Sequence, residues 1–340
     1  MNTRVQPWAR LASRPVPSVL RPIIRFLLRT WSRFPKAPGY HYQIVERWGA
    51  RLAVKPLECR LFNGMKMKCD LGDHIQRQIY FSGAFEPIEA YLVRLLLRPG
   101  MIVIDAGANV GQYTMIAAVE VGGHGQVHAF EPVPKNFRRL EDHIMENGLA
   151  TTVRTNMVAL WHRAEIVRLN LGSDEIGNDG GYMIGIPSEA VDTVTSPSVR
   201  LDDYVADNKL NRVDFIKMDI EGAEWYALQG ATTILSRWCP TMLMEINRLK
   251  CRALGYEPER ISEFLRQYGY LIWVVGQSPG TCRSLSNLDG VDSANVIFHT
   301  GRLPDNVIGG WSYKSILRFH RSHIRASESK VRQLGSSPQG

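Results

Sequence analysis

The run MIVIDA (Met101 to Ala106), followed directly by the turn DAGANVG and then by helical spacing in VGQYTMIAAVEV, constrains the fold more than any other stretch of this chain. Its apolar residues do not alternate with polar ones, so a strand made of them is buried on both faces, as in a parallel sheet covered by helices. The same rhythm recurs. QVHAFE (126–131) reads as the next strand and KNFRRLEDHIMENG (135–148) as the helix after it, with TVRTNMVAL (152–160) as a third strand. VDFIKMD (213–219), the helix AEWYALQGATTIL (223–235), PTMLMEI (240–246), the helix PERISEFLRQYG (258–269), YLIWVV (270–275) and ANVIFHT (294–300) continue the series. Alternating strands and helices predict a doubly wound α/β domain with right-handed crossovers. The last two strands have no helix between them and predict an antiparallel hairpin at the end of the sheet. Residues 162–200, with GNDGG at 177–181, interrupt the rhythm and read as a loop-rich insertion or hairpin at the sheet's mouth.

The flanks differ from this body. Residues 1–39 carry eight Arg or Lys and no acid, and residues 302–340 carry seven basic residues against two acids. The net charge of +8 is therefore a property of the tails, and the body from 40 to 301 is acidic at −5. A nucleic-acid-binding face needs the opposite balance, so no nucleic-acid partner is expected. The division predicted is a basic, poorly ordered leader (1–39), an α/β cap (40–98) with a turn at Asn63-Gly64 and a helix over 86–97, the main domain (99–301) and a basic tail (302–340). A short amphipathic helix around Leu20 to Phe34 offers a peripheral contact with a membrane surface. No run reaches the ~18 apolar residues of a membrane span, and VLRPIIRFLL (19–28) is too broken by Arg and Pro for a signal-peptide core. Five scattered cysteines without CxxC spacing predict reduced thiols, no zinc site and a cytoplasmic protein, or one at the inner membrane face.

In an open α/β sheet the ligand lies beyond the carboxyl ends of the strands, and here four of those ends carry acids: Asp105, Glu131, Asp219 and Glu245. Gly107 and Gly111 let the backbone approach a ligand, and Asn109 tolerates an unusual backbone conformation. The spacing Gly107-Ala108-Asn109-Val110-Gly111 is not the GxGxxG of a dinucleotide site, which disfavours an NAD-dependent oxidoreductase. Asp105 beside the turn repels a phosphate and attracts an ammonium such as that of S-adenosylmethionine, while Glu131 can accept from both hydroxyls of a ribose. Asp219 and Glu221 in KMDIEGAE can position a sulfonium, take a proton from an acceptor, or bind a divalent cation with Glu245; helix capping is the bland alternative.

VIDAGANVGQYT, AFEPVPKNF, VRLDDYV, VDFIKMDIEGAEWYALQGA and LMEIN, with IYFSGAFEP upstream, together resemble the FkbM-type S-adenosylmethionine-dependent methyltransferases over about Gln78 to Ile297. The resemblance implies a class I (Rossmann-like) methyltransferase fold with S-adenosylmethionine as cofactor. It implies O-methylation of a hydroxyl on a sugar, glycolipid or secondary metabolite. Asp105, Gly107, Asn109, Gly111 and Glu131 then form the cofactor site with Pro132 and Ala159, and Asp219, Glu221 and Glu86 line its junction with the acceptor. No metal is expected. The chain departs from the family at Ala159-Leu160-Trp161-His162, where an Ala-Leu-Ser-Asp-like turn is usual; Trp161 can then pack on the adenine ring, and His162 is a candidate base, with a surface histidine as the favoured bland reading. A catalytically silent methyltransferase-like module, binding RNA or a partner through its tails, is the rival reading.

Overall fold

The computed structural model describes residues 16–31, 38–172, 181–185, 190–276, 278–309, 311–312 and 315. Its strands are β1 (Leu57–Arg60), β2 (Lys66–Cys69), β3 (Ile102–Ala106), β4 (Gln126–Phe130), β5 (Val153–Asn156), β6 (Ala159–Leu160), β7 (Ile166–Gly172), β8 (Tyr182–Ile184), β9 (Ala190–Val199), β10 (Phe215–Met218), β11 (Thr241–Asn247), β12 (Leu271–Val275), β13 (Cys282–Leu285) and β14 (Ser293–His299). The helices are α1 (Arg21–Trp31), α2 (Pro38–Trp48), α3 (His74–Ser82), α4 (Pro87–Leu96), α5 (Gln112–Val121), α6 (Pro134–Glu146), α7 (Leu201–Asp207), α8 (Glu224–Gln229), α9 (Thr232–Trp238), α10 (Arg248–Ala253), α11 (Glu259–Arg266) and α12 (Asp305–Ile308).

Eight strands form one sheet in the order β13-β12-β14-β11-β10-β3-β4-β5. Strands β11, β10, β3, β4 and β5 are mutually parallel, and β14 and β12 add antiparallel pairings. This is the doubly wound, mostly parallel sheet that the alternation predicts. Neighbouring residues of one strand serve opposite faces: Val103, Val127, Phe215 and Leu243 enter one core, Ile104, Ile216 and Met242 the other. The terminal hairpin takes a form not foreseen, because β14 inserts between β11 and β12, and a further strand, β13, pairs outside β12.

Three other expectations are corrected. The third strand stops at Asn156, and β6 pairs with β9 instead of continuing in the main sheet. The helix expected over 223–235 is two helices, α8 and α9, parted at Gly230. A Cβ there would lie 2.6 Å from the carbonyl oxygen of Trp161, so a distant backbone occupies the space a side chain would need. Residues 162–200, read as loop-rich, supply β7, β8 and β9, which with β6 make a four-stranded sheet over the mouth of the main one; residues 177–180 of GNDGG lie outside the described residues.

The cap shares a core with the main domain instead of standing apart. Leu52, Met67, Leu71, Ile79 and Leu92 belong to the same buried cluster as Val103, Met115 and Leu140. Polar side chains set its position. His143 on α6 donates from Nδ1 to the Val110 carbonyl (2.8 Å) and accepts at Nε2 from the Lys68 amide (3.0 Å). Asn147 exchanges two hydrogen bonds with the backbone of Lys66, and Gln112 does the same with Phe85 (2.7 and 2.8 Å). The turn at Asn63-Gly64 joins β1 to β2 as predicted, and the leader, expected to be poorly packed, docks α1 through Leu28. No helix among the described residues is long and apolar enough to cross a membrane.

Gly230→Ala tests the break between α8 and α9. Forcing a methyl against the Trp161 carbonyl should cost about 1–3 kcal/mol, read as a lower urea midpoint with an unchanged slope; an unchanged midpoint would show that the break has another cause.

Candidate active site

A cleft of about 910 Å³, its open mouth included, lies beyond the ends of β3, β4 and β10. The glycine turn makes its floor. The amides of Gly107 and Ala108 both donate to the Phe130 carbonyl at 3.0 Å, which ties the end of β3 to the end of β4. Glu131 completes the tie: Oε2 accepts from the Asn109 amide (2.8 Å) and Oε1 from the Val133 amide (2.9 Å). On the other side the turn meets β10 so closely that a Cβ on Gly107, which sits at φ 78°, would be 1.8 Å from the Asp219 carbonyl oxygen. Glycine is therefore required there. Val133, Val158, Leu160, Leu169 and Ile184 give the cleft an apolar wall, and Ile75 and Phe85 of the cap close it from above.

At the opposite end the charges gather around Lys217. Lys217 is 6% exposed, and its ammonium donates to Asp219 Oδ2 (3.1 Å), reaches the Gly107 carbonyl at 3.5 Å, and lies 4.9 Å from the centre of the Tyr113 ring. Burial works to raise the pKa of Asp219, but the Lys217 charge and hydrogen bond outweigh it and hold the carboxyl below its ordinary range. Glu245 hydrogen-bonds to Asp219 and, facing that charge and burial, is pushed up to about 10; it therefore carries a proton at neutral pH. Glu221 pairs with Lys250. Glu86 accepts from Tyr113 Oη (3.0 Å) and from Asn295 Nδ2 (2.9 Å), and burial raises its pKa.

Of the residues expected to build the site, Gly107, Asn109, Glu131, Pro132, Ala159, Asp219 and Glu221 line the cleft. The others stand elsewhere. Asp105 lies beneath the turn, accepting from Thr114 Oγ1 at 2.5 Å, and has no face on the cleft through which to meet an ammonium. Gly111 starts α5 behind the lining, and Glu86 reaches the cleft only through Tyr113. Trp161 and His162 are not brought to it: Trp161 packs on Tyr226 (4.3 Å between ring centres) and donates to Glu165, while the His162 ring packs against both aromatic rings. The sequence reading missed Lys217, Tyr113 and Gln112. Lys217 alone carried a signal, as a lone charge inside an apolar strand, which demands buried partners.

Backbone strain marks the same place. Among the described residues five non-glycine residues have positive φ, and three of them, Glu86 (47°), Asn109 (50°) and Glu221 (59°), surround this cleft. Such conformations persist where surrounding structure imposes them, and they concentrate at functional sites. Asn109 Oδ1 is also buried in the wall without a hydrogen-bond partner, an acceptor left over by the fold itself. The carboxyl oxygens of Asp219, Glu221 and Glu245 lie within 4.8 Å of one another, close enough to share a cation, although lysines already answer two of them.

Burial raises Glu131 to about 7, against the two backbone amides that favour its charged form. A carboxyl whose folded pKa exceeds its unfolded value stabilises the fold below the unfolded value and loses that contribution as pH rises through the folded one. The stability difference between wild type and Glu131→Gln in the ligand-free protein should therefore fall by up to about 3 kcal/mol between pH 4.5 and 8. Denaturant titrations of both proteins across that range check it, and a pH-independent difference would contradict the placement of Glu131.

Residues 105–272 match the family model of the methyltransferase FkbM domain. The 31-O-demethyl-FK506 methyltransferase FkbM of Streptomyces tacrolimicus is 28% identical over 160 residues, 39% of this chain and 60% of that protein. The AMB antimetabolite synthetase AmbE of Pseudomonas aeruginosa is 21% identical over 236 residues, 59% of this chain and 10% of that protein. The chain thus spans less than two thirds of either relative. Among solved structures, the methyltransferase FkbM of Methylobacillus flagellatus is 15% identical with a TM-score of 0.39, covering 66% of this chain and 53% of that one. The cleft fits S-adenosylmethionine, the methyl donor of such a domain: its apolar wall suits an adenine, Glu131 keeps lone pairs for a ribose diol, and the acidic end suits a cation. Residues 105–272 thus form an FkbM-type methyltransferase domain, with S-adenosylmethionine as its cofactor.

Proposed function

We propose that this methyltransferase acts on oxygen, methylating a hydroxyl of a sugar, glycolipid or secondary metabolite. The observation that carries the reading is the group of carboxyls at the far end of the cleft from Glu131: Asp219 and Glu221 in the lining, with Glu245 and Glu86 behind them. Asp219, ionised and in the lining, only accepts hydrogen bonds, so this end suits an acceptor rich in hydroxyl donors. The relative from S. tacrolimicus carries, in its own name, a methyl transfer to an oxygen.

Bound S-adenosylmethionine supplies an electrophilic methyl on a sulfonium. The protein's part is alignment, desolvation and removal of one proton. Asp219, fixed by Lys217 on one side and Glu245 on the other, stays ionised near neutral pH and accepts the proton as the hydroxyl oxygen takes the methyl. Glu221, held by Lys250, orients the hydroxyl. Ile75 and Phe85 exclude water from above. With Lys217 and Lys250 already neutralising two of the three clustered acids, the arrangement works without a divalent cation.

Release of S-adenosylhomocysteine, with polar-lipid and glycan extracts as acceptor, tests this. Asp219→Asn and Glu221→Gln should each lower turnover about 10²-fold or more while cofactor affinity changes less, and EDTA should leave the wild type unaffected. Normal turnover in both folded variants would put the chemistry elsewhere, and EDTA-sensitive activity restored by Mg²⁺ would make the acids metal ligands.

A further inference from the structure

Helix α1 docks on the domain with one part of its circumference and leaves an apolar face outward. Leu28, Ile24 and Trp31 pack into the core cluster, Arg25 donates to the Leu52 carbonyl (2.7 Å), and the Arg29 guanidinium lies 4.7 Å from the centre of the Tyr80 ring. Phe26, Ile23, Leu27 and Leu20 follow one another around the helix at about 100° per residue over an arc of roughly 120°. They are 69%, 56%, 59% and 46% exposed. Eleven large apolar residues are exposed among the described residues, and five of them, with Val19, fall within nine positions here. Val54, 90% exposed, follows the short helical turn (Gly49–Leu52) on which α1 rests, with exposed Lys55 next to it.

A helix whose only task was to cover the core would carry charge on that outer arc. We propose that this face is a docking surface for an anionic lipid bilayer, with Leu20, Ile23, Phe26 and Leu27 entering the boundary between headgroups and acyl chains. Charge decides the occupant. Residues 1–39 hold eight cations and no acid, a balance that complements a plane of phosphates and leaves no acidic residue to pair with a basic partner. Because α1 is fastened by its inner face, insertion of the outer one would attach the whole domain and not merely an arm.

Sedimentation of the full chain with vesicles tests this, using phosphatidylglycerol–phosphatidylcholine mixtures and phosphatidylcholine alone. The wild type should bind the anionic vesicles, at least tenfold more weakly when salt is raised from 50 to 500 mM, and the neutral ones far less. The double variant Phe26→Ser/Leu27→Ser, at exposed positions, should keep S-adenosylmethionine affinity and lose at least tenfold in vesicle binding. Wild-type binding that the double variant retains in full would overturn the proposal. So would absent vesicle binding, whether the face is bare or instead holds a second copy, seen as a dimer that the double variant dissociates.

Discussion

Everything at the cleft depends on one buried ammonium. Strands β3 and β10 run side by side with Lys217 opposite Asp105, and both strands end in carboxylates that would repel each other in a dry interior. Lys217 lies between Asp105, Asp219 and the Gly107 carbonyl, so it neutralises the strand ends and helps fix the glycine turn against β10. Burial works against the charge of Lys217, yet the surrounding acids more than compensate and raise its pKa. A cation held in this way cannot be removed without leaving uncompensated acids behind.

The rest of the site follows from that pinning. Once β3 and β10 are drawn together, Gly107 has room for no side chain, and its amide turns to the end of β4, where Glu131 bridges two backbone amides. The cap is tied to the same turn through His143 and to the first residue of α5 through Gln112, so Phe85 is held over the cleft by the elements that form its floor. Floor, roof and charge balance are parts of one hydrogen-bonded assembly. That explains why strained residues gather there: Asn109 and Glu221 occupy turns whose paths are set by contacts on both sides.

Much of this was legible in the sequence, because unalternating apolar runs ending in acids leave few folds open. The parallel strands, the glycine turn and Glu131, Asp219 and Glu221 all follow from local pattern. What was not legible depended on register or on distant backbone. Lys217 looks like a lone charge until β10 is set against β3, when Asp105 becomes its neighbour. Trp161 and His162 lie away from the cleft because the chain leaves the main sheet after β5, and the two residues of β6 pair with β9 instead, turning the next two toward Tyr226. Gly230 looks permissible within a helix, and only the Trp161 carbonyl reveals why the helix stops. His143, in a helix of ordinary pattern, gave no hint that it joins the cap to the glycine turn.

The most direct test is a double-mutant cycle on Lys217→Met and Asp219→Asn, read as unfolding free energy. If the ammonium exists to balance the acids, Lys217→Met should cost about 3 kcal/mol or more, and Asp219→Asn in that background should recover a large part of it. The coupling would then be about 2 kcal/mol or greater. Strictly additive effects of the two substitutions would contradict the account, because Lys217 would then be an isolated buried charge and not the interaction that organises the cleft.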